Sequence, residues 1–210
     1  ETPDWCRTQA GRGVFPPGAG AELEQGILSH RFQSLQHQLD RLGGCRCEGT
    51  LLFAGDIQVV IQTGRFSPRG LMRGWLQHLK LCAEDAAFSG SAVIARADKG
   101  DEAKTHVRWA RLQPSEAEGQ LQSLQRLAQQ GQHQCWPVPP KSGWLLMSRE
   151  HSKAGSGVAA FQDSWTRERQ DPQQRLCFGA DIEADELLGS QGFEQACGLL
   201  YGPLLQALVR

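Results

Sequence analysis

Long apolar runs are missing from this sequence. No stretch approaches the roughly 18 residues that a membrane span requires, and the mean hydropathy is -0.43. Net charge is missing as well: 22 Lys and Arg against 23 Asp and Glu leave -1. A domain that held DNA by bulk charge alone would be clearly basic. Any nucleic-acid contact must therefore be local, or shared with other subunits. Tyrosine occurs once although tryptophan occurs six times. The seven cysteines are odd in number and irregular in spacing, which argues against a disulfide framework. The start, ETPDWCRTQAGRG, has neither a basic leader nor an apolar core. A reducing cytoplasm is expected. The first residue is Glu1, so the chain is expected to be a fragment of a longer protein or a processed product.

Several catalytic signatures are missing too. A phosphate-cradling loop ends in Gly-Lys-Ser/Thr. Lys141-Ser142 follows two prolines with no glycine before the lysine, so this segment is no ATPase by itself. Gly155-Ser156-Gly157 lacks the spacing of a nucleophile elbow, although a triad of residues distant in sequence stays open. Cys45-x-Cys47 with His78 and Cys82 could supply four metal ligands, but the C-x-x-C spacing is absent and free cysteines are commonly just buried. A Mg²⁺-dependent nuclease needs carboxylates on neighbouring strands and a nearby lysine. Glu102-Ala103-Lys104 fits the Asp/Glu-x-Lys half, yet it sits in a polar loop beside Lys99, Gly100 and Asp101. Asp56 falls in a hairpin turn, and the strands 50–53 and 57–61 carry no acid. A solvated turn is the better reading, with an active nuclease using Glu102 and Lys104 as the runner-up.

What is present is organised around residues 64–83, GRFSPRGLMRGWLQHLKLCA. Ser67 caps a helix and Pro68 fits its first position. Leu71, Trp75, Leu79 and Cys82 recur at helical spacing and form one apolar face. Arg65, Arg69 and Arg73 step by four and, with Lys80, lie along the opposite face, unless Arg65 precedes the helix. Around it, Glu22 to Leu42 reads as an amphipathic helix on Leu23, Ile27, Leu28, Leu35, Leu39 and Leu42, ended by Gly43 and Gly44. Thr50 to Phe53 and Ile57 to Ile61 read as strands about a Gly55-Asp56 turn, and Ser91 to Ala97 and His106 to Leu112 as two more. Pro114 opens a leucine helix that stops at Gly131. Short helices are expected over 142–150 and 161–169, separated by a mobile polar connector, HSKAGSGV. A last helix, 193–209, is expected to be kinked or divided at Pro203.

This order predicts an α/β protein of the α+β type: one domain over 1–210, with a small central mixed sheet flanked by helices. The basic stripe reads either as a solvated helix face or as a phosphate contact. Trp5, Trp136, Trp144 and Trp165 either plug core edges or stack on a partner. Leu199, Leu200, Leu204, Leu205 and Leu208 are core or a subunit interface.

Taken together, the motifs resemble the C-terminal region of RecC, the gamma subunit of exodeoxyribonuclease V (RecBCD). GVFPPGAGAELE resembles that family's Pro- and Gly-rich loop before a long helix, carried by Pro16, Pro17, Gly18 and Gly20. GLMRGWLQHLKLCA resembles its Leu-x-x-Trp-x-x-His-Leu helix, carried by Leu71 or Met72, Trp75, His78 and Leu79. The segment from Val107 through the Pro-rich stretch to Ser142-Gly143 follows in order, with Trp144 where the family often has a smaller residue. FQDSWTRERQ and the final leucine-rich helix close the resemblance. It implies a fold like PD-(D/E)XK nucleases that has lost its metal-binding acids. It also implies a non-catalytic scaffold and DNA-contact domain acting in double-strand-break repair and recombination in bacteria. The implied partners are RecB- and RecD-type subunits and double- and single-stranded DNA ends, with Mg²⁺ and ATP used by those partners rather than by this domain. DNA-contact candidates are Arg65, Arg69, Arg73 and Lys80. Partner-interface candidates are Trp136, Trp144, Leu200, Leu204 and Leu208. The alternative is an active Mg²⁺-dependent nuclease domain of AddB or RecB type.

Overall fold

The computed structural model describes residues 8–9, 11–15, 18–84, 86–97 and 99–209. Pro16, Pro17 and Trp5 lie outside the described residues. The architecture is α+β, a five-stranded mixed sheet in the order β1-β2-β3-β4-β5 with helices around it. Two compact units make up the chain, Glu1–Phe66 with Ala92–Val107 and Ser67–Ser91 with Arg108–Arg210. No helix among the described residues is long and apolar enough to cross a membrane.

In the first unit, helix α1 (Ala19–Arg41) follows Gly18, whose φ of 68° suits only glycine readily. Its end is the expected glycine stop: the Gly44 N–H donates to the Leu39 carbonyl at 3.2 Å. Strands β1 (Cys45–Glu48), β2 (Leu51–Ala54) and β3 (Ile57–Arg65) pair antiparallel through two-residue turns at Gly49 and Gly55. β1 was not expected. Its sequence, CRCE, is exposed throughout and holds no large apolar residue. Backbone pairing holds it to β2, and the Arg46 guanidinium lies 5.0 Å above the Phe53 ring. The core of this unit joins Leu39 of α1 to Ala54, Val59 and Ile94. Leu23, expected on the apolar face of α1, is 67% exposed.

The turn at Gly55 sits against the end of α1. Its φ is +61°, and a Cβ there would lie 3.0 Å from the Leu42 carbonyl oxygen. Gly55→Ala is expected to cost about 1–3 kcal/mol in urea denaturation. Gly64→Ala, where a Cβ meets nothing within 4 Å, is expected to change stability by no more than about 0.5 kcal/mol.

Strands β4 (Gly90–Arg96) and β5 (Ala103–Ala110) start earlier than expected. Lys104 therefore lies on a strand and not in the loop, with its side chain and that of Glu102 exposed. The connection is tied down rather than merely solvated. Asp101 takes bonds from Arg31 of α1 at 2.7 and 2.9 Å and from Arg96 at 3.1 Å. The Ala103 N–H donates to Ser34 Oγ at 2.8 Å.

In the second unit, α2 (Pro68–Ala83) is built as its sequence dictates. Ser67 Oγ accepts from the Gly70 N–H, and Pro68 holds the first turn. Leu71, Trp75, His78, Leu79 and Cys82 are all buried. His78 lies among the rings of Trp75, Trp109 and Phe88, with centroids 5.3–5.7 Å away, and its Nδ1 is 2.9 Å from Ser91 Oγ. The family-motif residues of this helix are thus packing residues. Burial pulls the His78 pKa down from 6.5 to about 4, against a smaller upward pull from the backbone at Ala110.

Helices α3 (Pro114–Gly131), α4 (Pro140–Ser152), α5 (Gly157–Glu168), α6 (Pro172–Phe178), α7 (Ala184–Leu188) and α8 (Phe193–Gln206) complete this unit. Three expectations change. The connector between α4 and α5 is a four-residue turn, with Lys153 in the left-handed region at φ 53° and the Ala154 N–H bonded to the Arg149 carbonyl. α8 is one helix with Pro203 inside it, so it is not divided there. The tail after α8 pairs with β5: Val209 N–H donates to the Arg108 carbonyl at 2.9 Å, and Leu208 faces Trp109 in a β-bridge. The short helices α6 and α7 were not expected.

Candidate functional site

The exposed face of α2 carries a mixed basic and apolar surface. Arg69, Arg73, Leu76 and Lys80 stand on it at helical spacing, all exposed. Among the described residues neither Arg69 nor Arg73 has an ion-pair partner, whereas Lys80 lies 3.7 Å from Glu84 one turn along. Leu76 is 41% exposed.

Two cavities meet at this leucine. One, of about 590 Å³, is lined by Arg69, Arg73 and Lys80 at its edge and by Met72, Leu76, Pro140, Leu200 and Tyr201 inside. The other, of about 630 Å³, runs over Leu121 and Leu124 of α3 to Trp136. Met72, Leu76 and Leu200 line both. The result is one apolar trough with a basic edge.

Long-range packing builds the walls. Gly143 lets α4 approach α8: a Cβ there would sit 2.9 Å from Val138 Cγ1 and 3.5 Å from Cys197 Sγ. The Tyr201 hydroxyl donates to the Pro140 carbonyl at 3.0 Å, and Trp144 meets the Tyr201 ring edge-on at 5.8 Å. Burial pushes the Tyr201 hydroxyl pKa up, and likewise raises the Cys197 thiol to about 12, so both stay protonated. The Trp136 Nε1–H donates to the Leu127 carbonyl at 3.0 Å, which fixes the indole beside the end of α3.

The sequence-derived candidates separate accordingly. Arg69, Arg73, Lys80, Trp136 and Leu200 come together on the trough. Trp144 is half-buried against Tyr201 and lines neither cavity. Leu204 is fully buried, with its carbonyl accepting from Trp109 Nε1, so it is core rather than surface. Leu208 is half-buried and tied into the bridge to β5. Arg65 ends β3, off the α2 line and in the other unit. Glu102 and Lys104 stand exposed at the start of β5, also in that unit. Among the described residues no group of three or more His, Cys, Asp or Glu is placed to hold a metal ion. Met72, Leu76 and Tyr201 were missed as trough residues. The one available signal was Leu76, an apolar residue on the otherwise charged face of α2.

A family model described as the RecC C-terminal domain matches residues 1–151. The search of curated proteins gives no match. The matched span takes in α1 through nearly all of α4, and with it Arg69, Arg73, Lys80, Trp136 and Trp144. It stops short of FQDSWTRERQ and of the final leucine-rich helix.

Proposed function

The chain belongs to the RecC C-terminal domain family, and from that premise we propose that it is a non-catalytic scaffold domain of a RecBCD-type helicase-nuclease. RecC-type subunits are part of exodeoxyribonuclease V, a DNA-repair complex. In this reading a nuclease-like fold is kept for its shape. The domain docks a RecD-type helicase subunit and helps hold the DNA end while the duplex is split. ATP and Mg²⁺ are used by the partner subunits, and the complex works in the cytoplasm. The observation that carries the reading is the trough on α2. Its floor is apolar, like the buried core of a protein interface, and at its edge stand two exposed arginines with no ion-pair partner among the described residues. In the DNA-loaded complex Arg69 and Arg73 contact backbone phosphate. That is the local charge a chain of net charge -1 needs if it touches DNA at all.

Charge reversal of both arginines tests the phosphate contact. Arg69→Glu with Arg73→Glu, built into the assembled complex, is expected to leave the domain folded by circular dichroism. The affinity for a DNA end should fall. The slope of log K against log salt should drop by about two, one per lost phosphate contact. An unchanged affinity and slope would remove DNA contact from this face.

A further inference from the structure

The α2 surface asks for more than an anion. The helix already buries a complete apolar face through Leu71, Trp75 and Leu79. A single exposed leucine on a solvated face would need no explanation. Leu76 instead stands where two apolar cavities join, with Leu200 of α8 facing both. Phosphate and sugar are polar, so a nucleic acid would use the arginine edge and leave the trough uncovered. A protein segment covers both. Of the segments a protein can offer, an α-helix fits best. The trough is bounded by helices and their connections, and no unpaired strand edge lines it. Helix-in-groove docking places apolar side chains at i, i+3/i+4 and i+7 on such a floor.

The edge selects the charge of the occupant. Arg69 and Arg73 are one turn apart, so their guanidinium groups can be matched by two carboxylates spaced one turn apart on a helix alongside. Lys80 contributes less, because Glu84 already answers it at 3.7 Å. We propose that, in the DNA-free complex, this trough seats an amphipathic α-helix of a protein partner, its apolar face on Leu76 and Leu200 and a pair of acidic residues toward Arg69 and Arg73. The proposal rests on the scaffold reading and adds the chemistry of the partner element.

The test uses the chain assembled with its partner subunits, without DNA. A photo-crosslinking amino acid is placed at Leu76 and, in a second preparation, at Leu124 on the floor of the other cavity. Both probes are expected to capture one and the same helical segment of a partner, with apolar residues at helical spacing and acidic residues on one flank. Arg69→Glu with Arg73→Glu should lower the crosslink yield about tenfold. Capture of a segment without acidic residues, two unrelated segments from the two probes, or no protein crosslink would each overturn the proposal. So would an unchanged yield after charge reversal. A crosslink that forms only after DNA is added, and to the DNA, would make this a nucleic-acid face instead. The phosphate contact is read separately, by the salt dependence of DNA affinity. Either idea can thus fail while the other stands.

Discussion

Glu168→Ala is expected to cost about 3–5 kcal/mol of folding stability, the largest effect of any single substitution considered for this chain. Helix α4 begins at Pro140 after Pro139, a residue with no side-chain acceptor, so its first amides have no local cap. The Glu168 carboxylate, at the end of α5, replaces the missing cap. It accepts from the Ser142 N–H at 2.7 Å, the Ser142 hydroxyl at 2.7 Å and the Lys141 N–H at 2.9 Å. The residue is 5% exposed, and the positive end of the α4 dipole favours its charge. Truncation leaves the two Ser142 donors buried without an acceptor. Glu168→Gln keeps one oxygen but turns an amide N–H₂ toward donors, so it should cost about half as much. Urea denaturation of both variants checks the order. A loss under about 1 kcal/mol for Glu168→Ala would show that the capping is dispensable.

The second large effect is acid sensitivity from His78. Above pH 6.5 the residue is neutral whether the chain is folded or not, so it imposes no pH dependence. Between 6.5 and about 4 the unfolded chain takes up a proton that the buried imidazole refuses. Stability must therefore fall as pH falls through this window, by about 1.4 kcal/mol per pH unit and about 3 kcal/mol in all. Among the described residues no carboxylate stands among the groups packed on the ring: its polar neighbours are Ser91 Oγ at 2.9 Å, Cys82 Sγ at 3.6 Å and the backbone at Ala110. Asp101 acts in a separate, lower window. The Arg31 hydrogen bond, then the charges of Arg31 and Arg96, hold its carboxyl below the ordinary range. Its stabilisation is lost only as pH falls below that range. His78→Gln should flatten the stability profile between pH 6.5 and 4 while lowering stability overall. A slope identical to that of the parent chain would assign the acid sensitivity to other groups.

Helix α2 was legible because all its determinants are neighbours in sequence. The cap at Ser67, the proline at the first position and the recurrence of Leu71, Trp75, Leu79 and Cys82 predict its start and its buried side. The β2–β3 hairpin was legible for the same reason, since Gly55-Asp56 lies between two apolar runs. Strand β1 was not. CRCE is short and holds no large apolar residue, and pairing along β2 makes it a strand. The alternative that Arg65 precedes the helix is the one realised: a four-residue step has meaning only within one helix, and Arg65 belongs to β3. Leu204 and Leu200 look alike in sequence, yet one is fully buried and the other lines the trough.

The sequence by itself determined the α+β class, the glycine stops, the capped central helix and the family to which the chain belongs. Each of these is written in residues a few positions apart, where backbone geometry and side-chain period act directly. The tertiary structure alone decided that α2, α3 and α8 enclose a trough, that Glu168 caps a helix 26 residues upstream, and that His78 must stay neutral. Those features depend on which distant surfaces exclude water together. That is a property of the packed chain, and no local pattern carries it.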